Sequence, residues 1–309
     1  MLAANLLSVQ EDVEDIADSA KKQLKIEKNL REIDEIWDVA ELEINTYQNF
    51  DYPCTIGGTV AEHQEVLEDH MMTLVQMLAT RCITPFRTEV QSKLDTFAQV
   101  SETLEKWLKV MQQWMSLVLV FTGGEIAKQM PQESKIFKNV DTQWKKIMER
   151  VAEQKLVIPC CQNDLLLSAL PKMQEDLEYC QRKLETYLEK KRGVFPRFYF
   201  CSNSDLLKIL SIGTDPNQIQ DDFEKMFDAI SRVSFDKIDR RLIRAINQDW
   251  GGTTETVDLD DPVKCEGNIE DWLVKLESAM QASMRTICQA GAQECFQMSL
   301  TDFVNKYQS

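Results

Sequence analysis

Apolar residues recur at alternating steps of three and four through most of this 309-residue chain, and that period constrains the fold more than any other feature. The clearest stripe is Leu104, Trp107, Met111, Trp114, Val118 and Phe121, with two tryptophans seven residues apart on one helical face. Trp107 and Trp114 are therefore candidate anchors of a helix–helix interface, and Trp144 and Trp272 hold equivalent places in later stripes. Only ten Gly and eight Pro interrupt the chain, so helix dominates.

The stripes mark out successive helices. Residues 12–47 read as one long helix, through Leu30, Ile33, Trp37, Ala40, Ile44 and Tyr47, with Glu27 and Arg31 paired on its outer face. Asn49 to Gly58 reads as a connection. A second helix covers about Ala61–Thr80, with Val66, Leu67, Met71, Leu74 and Leu78 inward. Further helices run from Pro85 through Phe97, along the tryptophan stripe up to Gly123–Gly124, and over Lys135–Val151. Pro171 suits the first turn of a helix reaching Arg192, with Gly193 just beyond it. Then follow a short helix ending at Gly213, another after Pro216, a small β hairpin within 242–259 split by Gly251–Gly252, and a last helix over Asn268–Gln297. The expected fold is mainly α, with a hairpin near residues 250–260, in three segments: 1–48, 49–200 and 201–309.

Lys190 to Leu210 concentrates the punctuation. Lys190, Lys191 and Arg192 end a helix, and Phe195, Pro196, Arg197, Phe198, Tyr199 and Phe200 follow as an aromatic run that Pro196 keeps out of a helix interior. Ser202 and Asp205 then have capping-box spacing for a helix starting near Asn203. The run reads as a packed corner between helices, with Arg197 in solvent or paired to a carboxylate. A hinge or docking role is the alternative.

A net charge of −16 disfavours a phosphate-backbone or anionic-lipid binder, so neither nucleic acid nor membrane is an expected partner. Nine cysteines without a CxxC fit a reducing compartment. No phosphate loop, GxSxG elbow, HExxH or EF-hand loop occurs, so no enzyme activity, cofactor or metal is expected. His63 and His70 share a spacing of seven, and a surface placement outweighs a metal site.

Taken in order, these motifs resemble one family. KKRGVFPRFYFCSNSDLLKIL, LEKWLKVMQQWMSLVLVF, QMPQESKIFKNVDTQWKKIM and GNIEDWLVKLESAMQASM are similar to the linker region of dynein heavy chains, from about residue 15 to 305. Cys201 and Trp250–Gly251–Gly252 depart from the family pattern. The resemblance implies an elongated helical arm that swings across an ATPase ring and drives minus-end-directed movement. It also implies that this stretch stops at Ser309, ahead of the first ATPase module, without ring, stalk or most of the tail. The implied partners are the ring of the same heavy chain, dynein intermediate and light chains, and microtubules only indirectly. The implied location is cytoplasmic and cytoskeletal, in a cilium or flagellum axoneme. A helical scaffold, spectrin-like or coiled-coil, and a truncated paralogue without motor activity are the other readings. Hinges are expected at Asn49 to Gly58 and Val157 to Asn163.

Overall fold

The computed structural model describes residues 10–48, 50–122, 125–211 and 216–307. The expected stops at Gly123–Gly124 and Gly213, and Asn49 in the first connection, lie outside them. The fold is mainly α, as the periodicity predicts, with the expected hairpin inside a three-stranded antiparallel sheet and a second, two-stranded sheet that was not expected.

By internal packing the chain forms two compact units. Unit 1 holds residues up to 119 together with 135–180, and unit 2 holds 120–134 together with 181–309.

In unit 1, α1 spans Gln10–Trp37, and buries Ile26, Leu30, Ile33 and Trp37 at steps of four, three and four. The expected continuation to residue 47 is absent. Beyond Trp37 the buried residues are Ala40 and Leu42, a step of two, and Ile44–Asn45 is a strand (β1). Strand pairing wins because partners are at hand: β1 pairs with β2 (Thr55–Ile56), and Glu41 bridges Leu156. Ala40 and Ile44 fit both periods and Tyr47 fits only the helical one, so the stripe reads as helix.

α2 (Thr59–Leu78) buries Val60, Leu67, Leu74 and Met77, whereas Val66, expected inside, is exposed. α3 (Arg87–Phe121) fuses the two helices expected over 85–121 into a single one of 35 residues, about 52 Å long at 1.5 Å per residue. Nothing in it breaks the helix, because no Gly or Pro stands between Arg87 and Phe121. α5 (Pro131–Gln154) has Pro at its first position, where the missing N–H costs nothing. A five-residue helix, α6 (Val157–Cys161), precedes α7 (Asp164–Val194).

α7 starts seven residues before Pro171, which therefore sits inside the helix instead of in its first turn. Asn163 caps the real start, its side-chain oxygen accepting the Leu165 N–H at 2.9 Å. Burial of Leu166, Leu170 and Met173 holds the helix on both sides of the proline.

Unit 2 holds α4 (Glu125–Gln129), the second half of α7, α8 (Asn203–Ser211), a three-stranded antiparallel sheet, α9 (Ile269–Gln297), which packs on that sheet, and α10 (Leu300–Tyr307). The expected hairpin is β4 (Leu242–Trp250) with β5 (Thr253–Lys264), turning at Gly251 and Gly252 with φ +57° and +87°. Positive φ at both turn residues is the demand of a tight two-residue hairpin, which glycine meets without a Cβ clash. A third strand, β3 (Arg232–Phe235), pairs with β4 and was not read from sequence, being only four residues long. Its outer edge is closed by one side chain. Gln220 donates to the Val233 carbonyl and accepts from the Val233 N–H, both at 3.0 Å, as a neighbouring strand would.

Candidate functional site

The aromatic elbow lies within unit 2 and is built in layers. α7 continues through Gly193 to Val194, so Gly193 is not the glycine just past its end, and its φ is not positive. Termination falls to Pro196, which disfavours helical geometry at the residue before it, and Phe195 is extended (φ −124°, ψ 95°). Pro196–Phe200 then closes into a 3-10 turn, with the Phe198 N–H bonded to the Phe195 carbonyl at 3.1 Å.

This turn splits the run into two faces. Phe195 and Phe198 are fully buried and meet edge to face, with centroids 5.0 Å apart, while Phe195 also lies 6.2 Å from Phe227. Tyr199 and Phe200 point outward and are 61% and 74% exposed. Two of the four rings of the run are therefore packed inward and two face outward.

Two arginines lock the elbow. Arg197 is paired: its Nε donates to Glu277 of α9 at 3.0 Å, and its guanidinium lies over the Phe227 ring at 4.7 Å. Arg192 supplies the backbone's missing partners. It donates to the carbonyls of Phe198 (3.4 Å) and Cys201 (3.3 Å), and to Asn203 Oδ1 (2.8 Å), while pairing with Glu189. Sequence reasoning took Arg192 only as a helix-end charge. A carbonyl-rich turn directly after it was the available signal.

α8 begins as its spacing predicts. Ser202 Oγ accepts the Asp205 N–H at 3.1 Å and donates to the Asp205 carboxylate at 2.6 Å. Lys225 holds the Asp205 carboxyl below the usual carboxylate range, and both lie at the surface. Behind them Asp222, with no exposed surface, takes Lys208 and Lys225 as partners.

One buried ion pair was missed. Lys191 meets Glu270 in the first turn of α9, and both side chains are nearly inaccessible. In sequence Lys191 is one of three basic residues ending a helix, and in the fold it also lies 5.2 Å over the Tyr187 ring. Burial, then the Glu270 charge, raises the Tyr187 pKa.

The tryptophan anchors are core residues. Trp107, Trp114 and Trp144 have no exposed surface and Trp272 is 2% exposed. Trp114 and Trp144 lie 6.1 Å apart and nearly parallel. The Trp114 indole and the Tyr52 hydroxyl both donate to Asp141 Oδ1, at 2.9 and 3.2 Å, and the Trp144 indole donates to the Cys54 carbonyl at 3.0 Å.

These bonds bear directly on the expected hinges. The part of Asn49 to Gly58 that is described is pinned to α3 and α5 by Tyr52, Cys54 and Ile56, the last donating its N–H to Met111 Sδ at 3.2 Å. Val157 to Asn163 is held as firmly: the Val157 N–H bonds to Ala40, the Leu42 N–H to Lys155, and Val157, Cys160 and Cys161 are wholly buried. Burial pushes the Cys160 thiol up to about 11 and Cys161 to about 12, which keeps both as unreactive thiols.

His63 and His70 are packing groups, not plain surface residues. Both flank Trp37 at 6.2 Å, and His70 Nδ1 accepts the Trp37 indole proton at 2.9 Å. Burial lowers the His70 pKa, in keeping with a neutral acceptor. Among the described residues no group of three or more His, Cys, Asp or Glu is placed to hold a metal ion.

The chain matches the family described as dynein heavy chain, N-terminal region 2, over residues 1–291, and it belongs to that family. It is 37% identical to the flagellar outer-arm dynein gamma chain of Chlamydomonas reinhardtii over 307 residues, covering 98% of this chain and 7% of that protein. It is also 37% identical to dynein axonemal heavy chain 5 of Mus musculus and 36% identical to dynein axonemal heavy chain 8 of Homo sapiens, each over 94% of this chain and 6% of the relative. The chain thus spans a small fraction of the relatives it matches.

Proposed function

We propose that this chain is the noncatalytic lever arm of an axonemal dynein heavy chain, working in cis with the ATPase ring of the same polypeptide in a cilium or flagellum. The observation that carries the reading is the near-complete coverage of this chain by axonemal heavy chains at 36–37% identity. The elbow supports it mechanically. Arg192 and Arg197 tie the end of α7 to α8 and α9, so force entering along α7 is delivered to a packed cluster instead of a slack loop. The chain itself turns over no ATP in this reading, and intermediate chains, light chains and microtubules are met only through the full heavy chain.

The test is uncoupling. In the full-length heavy chain, Arg197→Ala combined with Arg192→Ala should leave microtubule-stimulated ATP turnover largely intact while slowing microtubule gliding severalfold. Equal loss of both rates would point to a role in the chemistry. No change in either would favour a scaffold. The purified 309-residue chain should show no ATP hydrolysis above background.

A further inference from the structure

The end of α1 rests on a contact that only a neutral imidazole can make. Trp37, the last residue of the helix, is 3% exposed. Its indole meets Phe97 of α3 at 5.4 Å and the rings of His63 and His70, both on α2, at 6.2 Å. The indole N–H donates to His70 Nδ1 at 2.9 Å. Accepting it takes the Nδ1 lone pair, so His70 holds its one proton on Nε2, and a second proton has no place except on the nitrogen already in use. His63 is the opposite case. Its Nε2 lies 3.0 Å from the Glu41 carbonyl, which can only accept, so His63 donates there whether neutral or charged.

The charges around this contact come from four elements. On α2, Asp69 adjoins His70 and favours the charged ring, but burial opposes it more strongly, and the His70 pKa lies below its ordinary value. From α1 come Asp34, one turn before Trp37, and Asp38, directly after it, and from α3 comes Lys93, one turn before Phe97. Asp34 and Lys93 pair with each other, and Asp38 is exposed. The 3-10 turn Arg81–Ile83, which packs against α1, brings Arg81, also exposed. Protonating His70 therefore leaves a buried N–H donor facing a cation.

We propose that the Trp37–His70 bond is a proton-operated latch on the end of α1, closed while His70 is neutral and opened when its Nδ1 takes a proton. Opening strands a buried indole N–H and sets two donors against each other, so the last turn of α1 loosens from α2. The connection after it keeps its own ties, the His63–Glu41 bond and the Glu41–Leu156 bridge, so the release is local. Because the folded-state pKa is the lower one, the stabilisation is complete above about pH 6.5, the ordinary imidazole value, and is lost as pH falls below it through the folded value. The latch lies within unit 1, and it stands whether or not the chain works as a lever arm.

The experiment is long-range nitrogen–proton NMR of the 309-residue chain, titrated from about pH 7.5 to about 5.5, a window that brackets the imidazole value and stays above the carboxylates. At the upper end His70 should carry its proton on Nε2, with Nδ1 bare. As His70 titrates, protection of the Trp37 indole N–H, corrected for its intrinsic exchange rate, should fall severalfold with the same midpoint. In Trp37→Phe, which removes the donor, the His70 midpoint should rise toward the ordinary value. His70→Gln offers an amide oxygen that accepts at every pH, so the pH response of the indole should flatten. His63→Gln should leave that response in place. A proton on His70 Nδ1 at the upper end overturns the proposal. So does indole protection that is constant across the titration, or a His70 midpoint that Trp37→Phe does not move. If His70→Gln does not fold, the parent's tautomer and titration decide by themselves.

Discussion

The connection around Tyr52–Ile56 in unit 1 and the aromatic elbow at Phe195–Asp205 in unit 2 are both breaks between helices, and they are held in opposite ways. The connection has almost no packing of its own and is fixed from outside. Met111 reaches it from α3 and Asp141 and Trp144 from α5, and Asp141 gathers the Tyr52 hydroxyl and the Trp114 indole on one carboxylate oxygen. The elbow is fixed largely from within, by Phe195 against Phe198 and by Arg192 folding back onto the carbonyls that follow it, with Arg197 adding an outside tie to Glu277 of α9. The first looks like a hinge in sequence because its holders lie about 90 residues away, as between Cys54 and Trp144. The second announces itself because several of its holders, Phe195, Phe198 and Arg192, are its neighbours, although Phe227 and Glu277 add to them from farther along the chain.

The sharpest test of that contrast removes one buried ring from each. Phe198→Ala should destabilise unit 2 by about 3–5 kcal/mol, and Trp144→Ala should destabilise unit 1 by a similar amount. Native-state hydrogen exchange separates the two. Phe198→Ala should lower protection across α8 and α9, and Trp144→Ala across β1, β2 and α5. In the parent, the amides of Leu42, Gly57 and Val157, each bonded to a backbone carbonyl, should be protected like the helices. Fast exchange at all three would restore the hinge reading and break the comparison.

Next in size is Asp141→Ala. It strands the Trp114 indole and the Tyr52 hydroxyl, and it should cost about 2–3 kcal/mol in urea unfolding. Asp141→Asn keeps an acceptor and should recover part of the loss. Equal losses would mean that Asp141 acts through its charge alone. Ser202→Ala is smaller, about 1 kcal/mol, because it deletes an N-cap whose partner Asp205 keeps its own ion pair with Lys225.

Legibility followed sequence distance. The long stripes revealed α5 and α9 and the bodies of α3 and α7, though not the unbroken length of α3 or the start of α7, and the capping box revealed the start of α8, because periods and caps are local properties. The end of α1 was misread because the choice between helix and strand at Ala40–Asn45 is made by Lys155, Leu156 and Ile56, far along the chain. The same reason hid the Lys191–Glu270 pair, 79 residues apart, behind an ordinary helix-end lysine. Within the elbow, the aromatic run was legible as a corner. Which rings face in was not, since three-residue turns, not a helix or strand period, set that alternation.

The smallest expected effect is the most pointed. Phe200 is 74% exposed, so Phe200→Ala should change the stability of the chain by no more than about 0.5 kcal/mol. Tyr199→Phe loses only a surface bond to Glu189 and should do the same. A loss above about 1 kcal/mol from either would make the whole run a buried corner and erase the division into inner and outer faces. With stability unchanged, the two variants can be carried into the full-length heavy chain as clean probes of the outer face. If the elbow acts only as a locked joint, gliding velocity should then be unaltered, because Phe195, Phe198, Arg192 and Arg197 all remain in place. Slower gliding with normal stability would instead assign the outward pair a contact of its own.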